Sequence, residues 1–92
     1  MTFEKAIELG EYEPEYLEGF PEWHQFTKHV KWSYVRQALK NRMRMLRVQW
    51  AEIANQPNLS EKPHLKAALK GVERQIDQVQ MDEEKLQVEF LS

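Results

Sequence analysis

Apolar residues in the second half of the chain recur at the spacing of a coiled-coil helix. From Leu65 to Phe90 the interval between core positions alternates between four and three residues, and only Glu83 interrupts the apolar series. The core positions are Leu65, Leu69, Val72, Ile76, Val79, Glu83, Leu86 and Phe90. Pro63 precedes them at a position that favours the first turn of a helix, so the pattern predicts a helix over residues 63–91.

A second long helix is predicted over residues 21–55. Pro21 opens it, Glu22 suits the positive end of the helix dipole, and no Gly or Pro follows until Pro57. Its second half carries an apolar seam made of Trp32, Val35, Leu39, Met43, Leu46, Trp50 and Ile53. Its first half carries a different apolar face, made of Trp23, Phe26, Val30 and Tyr34. The two faces predict two separate packing partners.

A linker over residues 56–62 joins the two long helices, and NQPNLS at 55–60 is typical of a turn. Because the connection is short, the helices are expected to be antiparallel neighbours. The predicted register pairs Ile53 with Leu65, Leu46 with Val72, Leu39 with Val79 and Trp32 with Leu86. It also sets Glu83 opposite Val35 and beside Arg36.

The first 20 residues form an acidic, aromatic segment with two short helical turns. Thr2 is a capping residue for a turn that Gly10 ends, and Pro14 opens another that Gly19 ends. The apolar residues of this segment are expected to cover the second face of the first long helix; they are Phe3, Ile7, Tyr12, Tyr16, Leu17 and Phe20. The fold predicted is all-α: an antiparallel, coiled-coil-like hairpin with a short N-terminal helical segment on its first long helix, in one domain over 1–92.

The charges are sorted into blocks along the chain. Residues 1–22 hold seven Glu and one Lys, residues 23–51 hold seven Lys or Arg and no acid, and the remainder is acidic. Arg36, Lys40, Arg44 and Arg47 fall on one stripe of the first long helix, with Arg42 near it. Two interpretations are open. The stripe contacts phosphates of a nucleic acid, or it pairs within the fold with acids of the last helix, namely Glu73, Asp77 and Glu84.

The aromatic residues of the basic block have the same two interpretations. Trp32 and Trp50 lie in the seam, which predicts a place in the core. Trp23 lies on the face that the N-terminal segment covers, and we expect it to be partly exposed. Trp23 therefore joins the candidate partner-binding residues Arg36, Lys40, Arg42, Arg44 and Arg47.

Several kinds of site are not indicated. The chain has no Cys, which removes thiolate chemistry and fits a reducing, cytoplasmic location. No apolar run is long enough for a membrane span, so no membrane partner is expected. His24 and His29 are spaced too far apart to share a helical face, so no metal site is expected. No phosphate loop or catalytic constellation is visible, and the sequence predicts neither a cofactor nor an enzyme.

These observations favour a non-enzymatic helical module, an adaptor or regulator, that binds an unidentified protein. The alternative is an RNA- or ribosome-associated protein that uses the basic stripe. A third hypothesis is an inhibitor that mimics nucleic acid through its acidic N-terminal segment. A two-helix hairpin leaves one side of its seam open, so self-association into a four-helix dimer is also expected.

Overall fold

The computed structural model describes all 92 residues, and all its regular structure is helical. In chain order it consists of α1 (Phe3–Glu8), α2 (Pro14–Leu17), a 3₁₀ helix (Pro21–Gln25), α3 (Lys28–Ala54), a 3₁₀ turn (Leu59–Glu61) and α4 (Pro63–Leu91). Helices α3 and α4 pack against each other, and the N-terminal segment packs on α3. The predicted all-α hairpin is confirmed.

Helix α4 occupies the range that its heptad pattern predicts, with Pro63 in its first turn. Three core positions of the series, seven residues apart, are buried: Val72, Val79 and Leu86. The other apolar positions are only partly buried: Leu65, Leu69, Ile76 and Phe90. Glu83, the polar member of the series, is exposed and makes no ion pair with Arg36.

The first long helix begins at Lys28, and the predicted start at Pro21 is wrong. Pro21 opens only a 3₁₀ helix, after which Phe26 and Thr27 are extended, with ψ of 144° and 164°. The Thr27 hydroxyl accepts a hydrogen bond from the Val30 amide at 3.2 Å. This cap satisfies an amide that has no partner in the first turn of a new helix, so the chain changes direction here.

Helix α1 has both of its predicted ends. The Thr2 hydroxyl accepts from the Lys5 amide at 3.1 Å, and Gly10 follows the helix with φ of +81°. The amide of Glu11 donates to Ala6 O at 2.9 Å, and the amide of Gly10 donates to Ile7 O at 2.9 Å. Together they form a Schellman motif, which requires a residue that tolerates a positive φ.

Phe3 is the centre of an aromatic cluster between the N-terminal segment and α3. Its ring centroid lies 5.7 Å from Phe20, 5.5 Å from Phe26, 5.0 Å from Tyr34 and 6.4 Å from Trp23. These distances are those of favourable aromatic pairs. The cluster confirms that the N-terminal aromatic residues pack on the first half of the basic helix, while Tyr16 remains exposed.

The contact between α3 and α4 departs from the predicted register at the open end of the hairpin. The indole of Trp32 stacks on Phe90 with centroids 5.7 Å apart, one helical turn beyond its predicted partner Leu86. Nearby, Lys28 Nζ donates to Ser92 O at 3.1 Å. Leu86 is itself buried, so Trp32 fits into a layer that both residues border.

Candidate functional site

The hairpin has two flanks, and the N-terminal segment covers only one of them. We call residues 1–27 the leader and the flank without it the open flank. On α3, Asn41 and Arg42 face the leader, to which both are hydrogen-bonded. Lys40, Arg44 and Arg47 line a cleft on the other side, together with residues of α4. Because successive residues advance by about 100° around a helix, neighbouring residues of the basic block serve opposite flanks.

On the covered flank, Asn41 joins the leader to α3. Its side chain is 7% exposed, and its Nδ2 donates to the Ile7 carbonyl at 3.0 Å. Its Oδ1 accepts from Gln37 Nε2 at 3.1 Å and from Arg44 Nη2. Burying a side-chain amide is costly unless its polar atoms are hydrogen-bonded. In Asn41 both Nδ2 and Oδ1 have hydrogen-bond partners. Asn41 is not among the predicted site residues, although its place on the leader-facing side of α3 is a usable signal in the sequence.

Arg42 also belongs to the covered flank. Its Nε donates to the Gly10 carbonyl at 3.2 Å, and its Nη2 lies 3.3 Å from Glu11 Oε1. The two contacts satisfy different edges of one guanidinium, so the side chain is held in a single orientation. Arg42 was a candidate for partner binding, but in the structure its guanidinium contacts the leader instead.

The leader is also joined to α4. The Tyr12 hydroxyl donates to Asp82 Oδ2 at 2.5 Å. Burial of the ring raises the pKa of Tyr12, and the hydrogen bond and negative charge of Asp82 raise it further. Burial likewise raises the pKa of Glu13, with smaller contributions from Asp82 and Glu15. This corner of the molecule therefore brings acidic groups together in a partly desolvated setting.

No residue of the basic stripe on the open flank forms an ion pair within the chain, although Arg44 donates a hydrogen bond to Asn41 Oδ1. The side chains of Arg36, Lys40, Arg44 and Arg47 are exposed. The structure contains two ion pairs, Lys5 with Glu8 and Arg42 with Glu11, and neither includes a residue of the stripe. Of the two interpretations of the stripe, the structure does not show the pairing with Glu73, Asp77 and Glu84, since none of these acids forms an ion pair with it.

The cleft between α3 and α4 has a volume of about 580 Å³. Its lining combines apolar and charged groups: Leu39, Lys40, Met43, Arg44, Arg47, Val48, Ala51, Val79, Gln80 and Glu83. A second cleft of about 310 Å³ lies beside Arg36 and is bordered by Trp32, Lys40 and polar residues of α3. An apolar floor beside guanidinium groups suits a ligand that has carboxylates or phosphates on one edge and apolar groups on another.

The distal half of α3 exposes apolar side chains near this cleft. Val48 is 51% exposed and Trp50 is 40% exposed. The prediction that Trp50 is a core residue is wrong, since its indole is open to solvent despite its place in the seam. Exposed apolar groups beside a cleft are typical of an interaction surface.

Trp23 does not contribute to this surface. It is 3% exposed inside the aromatic cluster, and Lys31 Nζ lies 5.3 Å from its ring centroid. The expectation of a partly exposed Trp23 is wrong, because the chain turns at Phe26 and Thr27 and folds the 3₁₀ helix inward. The structure thus brings together Arg36, Lys40, Arg44 and Arg47 and separates them from Trp23 and Arg42.

No helix of this chain combines the length and apolarity needed to cross a bilayer. Neither protein-family models nor curated protein sequences nor solved structures match this chain. The interpretation of the open flank therefore depends on its own geometry and charge.

Proposed function

We propose that this chain is a non-enzymatic interaction module that binds a protein through the open flank of its hairpin. The partner supplies carboxylates to the basic stripe and apolar side chains to the floor of the cleft. The observation that carries the proposal is the basic stripe itself, four exposed cations without an ion pair, near a cleft that Met43 and Val48 line.

The division of the basic block supports this assignment. Lys28, Lys31 and Arg42 have partners inside the fold: a backbone carbonyl, an indole ring and the leader. Three of the seven cations of the basic block therefore have a role in stabilising the fold. The four that remain share one flank, where a cleft with an apolar floor lies between the two long helices. Of these four, only Arg44 has a hydrogen-bond partner in the chain, the Oδ1 of Asn41. Interfaces between proteins combine such apolar centres with charged rims.

A site-specific photo-crosslinker tests the proposal. A photoreactive phenylalanine analogue replaces Val48 on the open flank in one variant and Met81 on the outer face of α4 in a matched control. Met81 is 63% exposed, so both probes reach solvent. We expect the Val48 variant, and not the Met81 variant, to crosslink one protein in an extract of the source cells. The purified pair should then bind, and the binding should weaken when Arg44 and Arg47 are reversed to Glu. Identical crosslinking patterns at the two positions would contradict the proposal.

RNA is the second candidate partner, and the same exposed stripe favours it. Arginine and lysine side chains on one helical face contact phosphates, and such binding falls steeply with salt. We expect fluorescence anisotropy with total RNA to separate the two candidates. Micromolar binding with a log–log salt slope of several supports RNA, whereas no binding at about 50 mM salt removes it.

A further inference from the structure

We propose that the protein bound on the open flank is a second copy of this chain, in a two-fold dimer whose four long helices form an up-down bundle. This inference rests on the proposed function and names its partner. In the dimer, α3 of each copy lies beside α4 of the other, so each basic stripe meets the acids of its neighbour.

Two contacts show which residues of α3 and α4 lie at the same height in the hairpin. Lys28 is hydrogen-bonded to Ser92, and Trp32 stacks on Phe90. Counting up α3 from Lys28 and down α4 from Ser92 by equal numbers of residues brings Arg36 level with Glu84 and Arg47 level with Glu73. Counting from Trp32 and Phe90 shifts these pairs by two residues, about 3 Å along the helix.

The same count brings Arg44 within one residue of Asp77. All three acids are exposed, as are the three arginines. On the helical wheel these acids lie on the side of α4 that borders the open flank, the side to which Gln80 and Glu83 contribute lining residues. The chain thus carries complementary charges at matching heights, and none of them forms an ion pair within one copy.

A two-fold axis parallel to the helices preserves these heights. It sets the open flanks of two copies face to face and places α3 of one over α4 of the other. These neighbours are antiparallel, which is the up-down arrangement of a four-helix bundle. An axis perpendicular to the helices would instead set stripe against stripe and bring like charges together, so the charges select the parallel axis.

The apolar groups on this flank supply the centre of the interface. Val48 is exposed, Met43 and Ala51 are only partly covered, and all three line the cleft. In the dimer they face the half-buried Leu69 and Ile76 on α4 of the other copy. A pair of helices of this length presents a face on the order of 800 Å², which is what each partner contributes to a stable protein interface.

The test measures molar mass by light scattering after gel filtration. At about 100 µM protein and about 50 mM salt, where exposed charges are weakly screened, we expect twice the 11.1 kDa of one chain. The variant R44E/R47E and the variant E73R/D77R should each be monomeric, because each sets like charges against each other across the interface. An equimolar mixture of the two should regain the dimer mass, because its contacts are again complementary.

A matched control reverses the same amount of charge on the outer face of α4. K70E/R74E should remain a dimer, since both residues are exposed and form no ion pair. Circular dichroism checks that each variant keeps its helical content. If a double variant loses its fold, the fourfold variant R44E/R47E/E73R/D77R replaces it, and this chain should dimerise with itself.

The outcomes separate this inference from the proposed function. A wild-type chain that stays monomeric, or a dimer that survives R44E/R47E, overturns the paired-flank dimer. Neither result bears on binding of a different protein, which the photo-crosslinker at Val48 decides independently. Loss of the dimer in both double variants and its return in their mixture supports self-pairing through the open flank.

Discussion

Replacing Gly10 by Ala should strongly destabilise the fold, because Gly10 meets two separate requirements. Its φ of +81° is unfavourable for any residue with a Cβ. A Cβ at this position would also lie 2.8 Å from Arg42 Cβ and 2.9 Å from the Arg42 backbone. The backbone of α3 cannot rotate away as a flexible side chain would, so the leader must move off the helix.

The two effects give the expected size. An alanine in the left-handed region costs about 1–2 kcal/mol. Overpacking at a close contact costs about 1–3 kcal/mol, and the reduced freedom of the unfolded chain returns about 0.4–1 kcal/mol. We therefore expect G10A to lose about 2–4 kcal/mol of unfolding free energy and, for a domain of this size, about 10–20 °C in Tm.

Urea unfolding followed by circular dichroism measures the change, and two further variants isolate its causes. G71A should stabilise the protein by about 1 kcal/mol, since Gly71 lies inside α4 and its added Cβ would find only Arg74 Nη2 at 4.0 Å. Gly10→Asn keeps tolerance of a positive φ but adds a Cβ, so it should remain destabilised if the contact with Arg42 matters. A stability of G10A within about 0.5 kcal/mol of wild type would refute the close approach of leader and α3.

Three further predictions concern the leader and the stripe. Asn41→Leu should lose about 0.5–1.5 kcal/mol in urea unfolding, because it removes the side-chain hydrogen bond to the Ile7 carbonyl, which keeps only the Gly10 amide as a donor. An unchanged midpoint would contradict the Asn41 network. Tyr12→Phe should lose about 1 kcal/mol at pH 7 through the lost bond to Asp82. Because folding raises the pKa of Tyr12, the difference in unfolding free energy between wild type and Tyr12→Phe is complete below the unfolded pKa of about 10 and declines above it. A difference that grows as the pH rises above about 10 would contradict this linkage. Arg36→Gln with Arg47→Gln should leave Tm nearly unchanged at low micromolar protein in about 0.5 M salt, since neither arginine is paired within the chain. A large drop in Tm would show that the stripe is structural.

Local signals in the sequence predict the ends of α1 and α4 correctly. Thr2 and Gly10 specify α1 through a cap and a left-handed turn, and Pro63 with its heptad series specifies α4. The start of α3 was placed wrongly because Pro21 and the absence of Gly or Pro favoured an unbroken helix. The capping ability of Thr27 outweighed that continuity, and it was the readable signal in the sequence.

The wrong start explains the error at Trp23. A helical wheel assigns faces only while the helix is continuous, and the turn at Thr27 sends Trp23 into the aromatic cluster around Phe3. For Trp50 the predicted helix is correct, but the predicted burial is wrong. Its seam position was right, but burial also depends on how well the facing helix covers it, and 40% of Trp50 remains exposed.

The charge pattern predicts roughly where each charged residue lies along the length of the hairpin. It does not predict the distance between a cation on α3 and an acid on α4. The predicted register sets Glu83 beside Arg36, and the Lys28–Ser92 contact brings Glu84, one residue further, level with it. An ion pair also needs atoms within about 4 Å. That distance depends on how the helices are rotated about their axes. For the same reason, the sequence alone could not predict that Arg42 contacts the leader while Arg44 lines the cleft on the open flank.

Crosslinking of single-cysteine variants tests most directly the central claim that the basic stripe meets the acids of a second copy. The chain has no Cys, so the variants Arg44→Cys and Asp77→Cys each carry one thiol. Mixed in equal amounts and treated with a short bismaleimide, they should give a covalent dimer that contains both variants. Arg44→Cys mixed with Arg74→Cys, on the outer face of α4, should give little. Equal yields from the two mixtures, or no covalent dimer from the first, would contradict the pairing of stripe and acids across two copies.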